Sequence, residues 1–228
     1  LANAIAITGI ALRFPGARTP DEFWADLSQG VSRIRRCSND ELTKLGVNPD
    51  WIAQPDFVPV GGVVDGVDRM DARLFGYSRK HAELMDPQQR VALEVAWEAL
   101  EDAGVNPDLC GWDTGVFFGE AKNDYRPRSG EGSLDEHLAY TSNDKDYIAT
   151  RISYKLDLKG PSMTVQTASS TSLVAVHLAV ESLLRGECDF ALAGAVCLGI
   201  PQAGYIPTNG FIYSPDGRIA GKCFNIMI

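Results

Sequence analysis

The chain has 228 residues, 45% of them hydrophobic and 22% charged, enough for one large core or two small ones in an ordinary globular protein. Its 21 basic and 30 acidic residues leave a net charge of −9, which opposes attraction to nucleic acid or an anionic membrane, so neither is expected as a partner. The longest apolar run, Leu173 to Val180, is interrupted by His177 and falls far short of the roughly 18 residues of a membrane span.

Five cysteines, Cys37, Cys110, Cys188, Cys197 and Cys223, stand in no CxxC spacing, and the N-terminus has no signal-peptide character. Together these predict a reducing, cytoplasmic setting. The opening "LANAIAITG" has no initiator Met and enters a strand pattern within a few residues, which reads as a piece of a longer polypeptide.

In chain order, "AIAITGIAL" (Ala4 to Leu12) has the short, β-branched apolar pattern of a buried strand. In "TPDEFWADLSQG", Thr19 suits an N-cap, Pro20 the first helical position and Gly30 the stop. "FVPVGGVVDGV" reads as a hairpin or exposed loop. "MDPQQRVALEVAWEALEDAG" predicts an amphipathic helix: Asp86 caps, Pro87 fills the first turn and Gln89 completes a capping box. Its Val91, Leu93, Val95, Ala96 and Leu100 recur at helical spacing up to Gly104.

"TGVFFGE", "SMTVQTA" and "FALAGAVCLGI" predict strands. "SLDEHLAYTSNDKDYIATRISYKLDL" predicts interrupted helix, and "TSLVAVHLAVESLLRG" a helix apolar on nearly every side and therefore buried. Strands alternating with helices argue for one α/β domain, its helices covering a mixed, largely parallel sheet.

The chemistry concentrates in "TVQTASSTSLVAVHLAVESLLRGE", where a strand pattern turns into a helix at Ser169. A helix N-terminus stabilises negative charge by about 0.3–1 kcal/mol, and up to ~2 when partly buried. That lowers a thiol's pKa by about one unit, but it cannot ionise a serine hydroxyl without a neighbouring base. Ser169 is thus a nucleophile, a helix cap in a turn where either it or Ser170 caps, or a substitute for another residue.

His81, His137 and His177 read as structural or surface residues and have no metal-site spacing; no metal is expected. There is no GxSxG and no phosphate-cradling glycine loop. "NDKDY" (Asn143 to Tyr147) and "NDY" (Asn123 to Tyr125) read as solvated faces rather than pocket rims.

"IAITGIALRFPGARTPDEFWADLSQG", "DARLFGYSRKHAELMDPQQRVALEVAWEALEDAG", "NDKDYIATRISYKLDLKGPSMTVQTASSTSLVAVHLAVESLLRGECDFALAGAV" and "SPDGR" occur in this order. Together they closely resemble the N-terminal half of the ketosynthase (β-ketoacyl synthase) domains of modular type I polyketide synthases, over residues 4 to 218. The resemblance implies a thiolase-like layered α/β fold and a homodimer working beside other polyketide synthase domains. It also implies decarboxylative Claisen condensation of an acyl chain with a malonyl-type extender. The domain itself would bind no cofactor; its substrate would ride on the phosphopantetheine of an acyl carrier protein.

The family's turn reads Thr-Ala-Cys-Ser, where this chain has Thr167, Ala168, Ser169 and Ser170. The resemblance therefore sets Ser169 at the nucleophile position, with its backbone N–H as an oxyanion donor. The two histidines and the lysine that drive malonyl decarboxylation lie in the family's C-terminal half, and none of His81, His137 or His177 matches them. After "SPDG" the family continues with a short basic stretch and Phe-Asp. Here "RIAGKCFNIMI" delays Phe224, so residues 1–228 are read as an N-terminal domain truncated near 218–228.

Two readings follow. One is a ketosynthase disabled by Ser169 and by the missing half; the other is a catalytically dead ketosynthase-like protein for dimerisation or carrier docking. A serine acyltransferase or hydrolase would need a base that the local sequence does not supply. A half-domain should also leave the apolar faces of "SLVAVHLAV" and "FALAGAVCLGI" uncovered.

Overall fold

Capping chemistry sets the helix starts in a computed structural model that describes residues 4–106, 112–125, 127, 134–208 and 213–218. The described residues sort into two units, one drawn from residues up to Leu12 and from Gly66 to Cys197, the other from Arg13 to Asp65 and onward from Leu198.

In the second unit, helix α1 spans Pro20–Ser28. Thr19 Oγ1 accepts the Glu22 N–H at 3.2 Å, and the Glu22 carboxylate accepts the N–H groups of Thr19 and Arg18 at 3.2 and 2.7 Å, a closed capping box. Gly30 ends the segment at φ +66, a conformation glycine adopts without steric cost. Strand β1 (Arg35–Arg36) pairs antiparallel with β2 (Val60–Gly61), and between them lie α2 (Asn39–Lys44) and α3 (Pro49–Ile52). "FVPVGGVVDGV" is thus no hairpin within itself: its strand pairs with residues well upstream. Leu42, Cys37, Val47 and Ala203 form the core there.

The other unit carries α4 (Arg79–Leu84), α5 (Pro87–Asp102), β3 (Thr114–Glu120), α6 (Leu134–Thr141) and α7 (Ile148–Lys155). It continues with β4 (Ser162–Thr164), α8 (Thr171–Leu184) and β5 (Phe190–Val196). The three strands form a parallel sheet in the order β4-β3-β5, with Phe117 opposite Met163 on one side and Ala193 on the other.

All seven residues of β3 are buried, as expected of a central strand covered on both faces. Side chains alternate across a strand, so Phe117 packs with Ala175, Ala179 and Ala193 beneath α8. Val116, Phe118 and Glu120 point the opposite way, the side on which α5 and α7 also pack against the sheet.

Several expectations change. Residues 4–12 form no strand: a strand needs a partner ladder, and among the described residues this segment has none. It is held against α5 instead, with Ile10 N–H donating to Asp102 at 2.8 Å and Gly9 so close that a Cβ would lie 2.4 Å from the Ala99 carbonyl oxygen.

Asp86 does cap α5, accepting the Gln88 N–H at 2.8 Å, but the capping box is not formed. Gln89 instead donates to the Asp144 carbonyl at 3.0 Å and accepts from Arg151 at 2.6 Å. A half-buried guanidinium and a backbone carbonyl thus take both ends of that amide, leaving it nothing for a local cap. The "SMTVQTA" strand is reduced to Ser162–Thr164 because the chain turns away after Val165. Helix α8 is not buried all round: Thr171, Ser172, Ala175, Ala179 and Ser182 are covered, whereas His177 is exposed and Leu173 is 61% exposed. No described helix is long and apolar enough to cross a membrane.

Candidate active site

The loop between β4 and α8 is a strained turn. The Val165 N–H still bonds to the Phe118 carbonyl at 3.0 Å, so the chain leaves the sheet from a fixed point. Ala168 then adopts φ +54, in the left-handed region, where an L-residue costs about 1–2 kcal/mol. Residues Ala168–Ser170 form one 3₁₀ turn before α8 begins.

Thr171 holds this conformation. Its Oγ1 accepts the Thr167 N–H at 3.0 Å and donates to the Ala168 carbonyl at 2.8 Å. Its methyl group presses on β3, where a Cβ on Gly119 would lie 2.3 Å from Thr171 Cγ2 and 2.2 Å from the Val165 carbonyl oxygen. Only glycine allows the helix start to sit this close to the strand.

Ser169 stands exposed at the tip. Among the described residues, neither its hydroxyl nor its backbone N–H has a hydrogen-bond partner. The cap reading is therefore corrected. The N-cap position of α8 belongs to Ser170 and makes no side-chain cap bond, because the Ser170 hydroxyl turns back to the Thr167 carbonyl at 2.8 Å. Its hydroxyl oxygen is held beside Thr167, also 3.0 Å from Thr167 Oγ1, and accepts no N–H of the first turn. At Ser169 an unpartnered N–H and hydroxyl thus stand at a helix start whose dipole favours negative charge.

No histidine supplies a base at this turn. His177 is exposed on α8 and His137 is exposed on α6. His81 Nε2 is 2.9 Å from the Ser142 hydroxyl, and its ring meets Tyr77 edge-on at 4.8 Å. Burial first, then Arg151 and Lys155, push the His81 pKa below its usual value. Among the described residues, no group of three or more His, Cys, Asp or Glu side chains is placed to hold a metal ion.

A second polar cluster lies at the C-terminal end of β3. Glu120 is 3% exposed, and neither carboxyl oxygen has a hydrogen-bond partner. Burial is the main reason its pKa is pushed up to about 8; repulsion from Asp86 adds to this, while the nearby Gln89 amide and Arg151 act the other way. Burial likewise raises the Asp86 pKa, against the hydrogen bonds from Gln88.

"NDY" and "NDKDY" are solvated only in part: Asp124, Lys145, Asp146 and Tyr147 are exposed, while Asn123, Tyr125 and Asn143 turn inward. Asn123 donates to the Asn143 carbonyl at 2.8 Å, Asn143 donates to the Leu84 and Ala139 carbonyls at 2.6 Å each, and Tyr125 donates to the Glu83 carbonyl at 2.6 Å. The sequence offered one sign of the buried carboxyl, a glutamate closing the apolar run "GVFF". The left-handed Ala168 left no such sign, since alanine is not a residue that announces a positive φ.

The family model described as "Beta-ketoacyl synthase, N-terminal domain" matches residues 2–219. A phenolphthiocerol/phthiocerol polyketide synthase of Mycobacterium tuberculosis is 42% identical over 229 residues, covering 95% of this chain and 15% of that protein. The crystal structure of ketosynthase twelve from the bacillaene polyketide synthase of Bacillus amyloliquefaciens superposes with a TM-score of 0.82 at 37% identity, covering 94% of this chain and 38% of that one. The module 6 ketosynthase of the Bacillus subtilis 168 bacillaene synthase, in a cysteine-to-serine mutant form, gives 0.68 at 34% identity over 86% of this chain and 32% of its own. The chain thus spans well under half the length of these relatives. With helices packed on both faces of a parallel sheet and these matches along nearly its whole length, it belongs to the β-ketoacyl synthase family, as an N-terminal ketosynthase domain of the polyketide synthase type with the thiolase-like fold.

Proposed function

We propose that this chain is the nucleophile-bearing part of a polyketide ketosynthase, with Ser169 in the position that cysteine takes in the family. The observation that carries this reading is the turn itself: after the left-handed Ala168, the exposed Ser169 keeps both its hydroxyl and its N–H without a partner among the described residues. In the reaction, the nucleophile attacks the thioester carbonyl of an acyl chain on the phosphopantetheine of an acyl carrier protein. The carbonyl oxygen gathers negative charge facing the Ser169 N–H, the carbon–sulfur bond breaks, and the thiol leaves with the nucleophile's proton. Loss of CO₂ from a malonyl-type extender then generates the carbanion that attacks the acyl-enzyme carbonyl and releases the β-ketoacyl product.

Serine serves the first step poorly. A hydroxyl is hardly ionised near neutral pH, the helix dipole contributes at most about 2 kcal/mol, and no histidine stands by as base. We expect negligible condensation by this chain, which would act as a homodimer beside other synthase domains. The described cysteines are all free, with Cys37 and Cys188 buried and Cys197 exposed, which supports a reducing, cytoplasmic setting.

Intact mass spectrometry after incubation with an acyl-carrier thioester tests the reading. An acyl adduct on Ser169→Cys, with little or none on the parent chain, is expected. Absence of labelling in both would favour a ketosynthase-like protein limited to dimerisation or carrier docking.

A further inference from the structure

A cleft of about 380 Å³ opens beside α7, lined by Tyr77, His81, Tyr147, Arg151, Tyr154 and Lys155 among others. In a chain of net charge −9, every ionisable side chain in this cleft is a base or a tyrosine. Arg151 is fixed by neutral acceptors alone: Gln89 Oε1 at 2.6 Å, the Tyr77 hydroxyl at 3.1 Å and the Thr141 carbonyl at 2.5 Å. The Lys155 ammonium lies 3.9 Å from the centre of the Tyr77 ring, and among the described residues it has neither an ion pair nor a hydrogen-bond acceptor.

Burial and neighbouring cations lower the pKa of both Lys155 and His81, and no carboxylate acts on either. Arg151 and Lys155 both border the cleft, so an anion seated there meets positive charge from each.

We propose that this cleft binds a phosphate ester, with Lys155 as the cationic contact and the rings of Tyr147 and Tyr154 against the ligand's organic part. The guanidinium fork of Arg151 is already committed, which leaves Lys155 as a point charge of the kind that serves a phosphate. The volume exceeds the needs of an inorganic ion, and Tyr154, 81% exposed, offers ring surface at the rim. Ser169 takes no part in this site.

Isothermal titration of the full chain with 4′-phosphopantetheine, pantetheine and inorganic phosphate tests the assignment. The phosphate ester is expected to bind at least about tenfold more tightly than either of the other two. Lys155→Met, which keeps an apolar stem over Tyr77, should abolish that preference, and Lys155→Arg should retain most of it. Ser169→Ala should leave binding unchanged, which separates this site from the acyl-transfer turn. Equal binding of pantetheine, equal binding of inorganic phosphate, dependence on Ser169, no binding at all, or a folded Lys155→Met variant with unaltered affinity would each overturn the proposal.

Discussion

Glu120 shows most clearly what a single residue can do to this protein. Its carboxyl is held to a pKa of about 8 against an ordinary 4.5, chiefly by burial, so the folded state keeps a proton that the unfolded chain releases. Stability contributed by this group therefore falls as pH rises from about 4.5 to about 8, by at most about 5 kcal/mol at 1.36 kcal/mol per pKa unit. Glu120→Gln should remove that slope, raising the melting temperature at pH 8 while leaving pH 4 nearly unchanged. Parallel curves for variant and parent would show that the carboxyl is ionised in the fold. The residue type was visible in the sequence, but its burial was not: a polar residue at the end of an apolar run can as easily emerge into solvent. Here α5 and α7 close over that face of the sheet.

At the scale of elements, the helices were the most legible. The starts of α1 and α5 follow from Thr19, Pro20, Asp86 and Pro87 because capping and the N-terminal preference of proline act within one turn. The strands were legible only where partners exist: β3, β4 and β5 pair with one another, while residues 4–12, with an equally good pattern, do not. The contact between β3 and the start of α8 could not be read at all, since Gly119 and Thr171 are remote in sequence and meet through packing. Gly119→Ala should cost about 1–3 kcal/mol by overpacking and disturb the Ser169 turn. Thr171→Ser, which removes the methyl group but keeps the hydroxyl that holds Ala168, should recover only part of the loss, because the Val165 carbonyl still blocks the new Cβ. Urea unfolding of the two single variants and the double variant would measure this coupling; strict additivity would count against it.

For the whole molecule, several large apolar side chains are open to solvent. Ile7 is 72% exposed, Leu173 61% and Leu184 45%. Large open patches favour association, so size-exclusion chromatography with light scattering should find dimers or larger species, with strong binding of a hydrophobic dye. A monodisperse monomer that melts cooperatively would refute this expectation. The sequence by itself determined the α/β class, the family, the helix starts and the turn that carries Ser169, because capping, periodicity and motif order are written in near neighbours. Tertiary structure alone decided the rest. The left-handed Ala168, the unpaired buried Glu120, the redirected Gln89, the joined asparagine clusters and the basic cleft at Lys155 each depend on segments remote in sequence meeting in space, and on which polar groups then find partners.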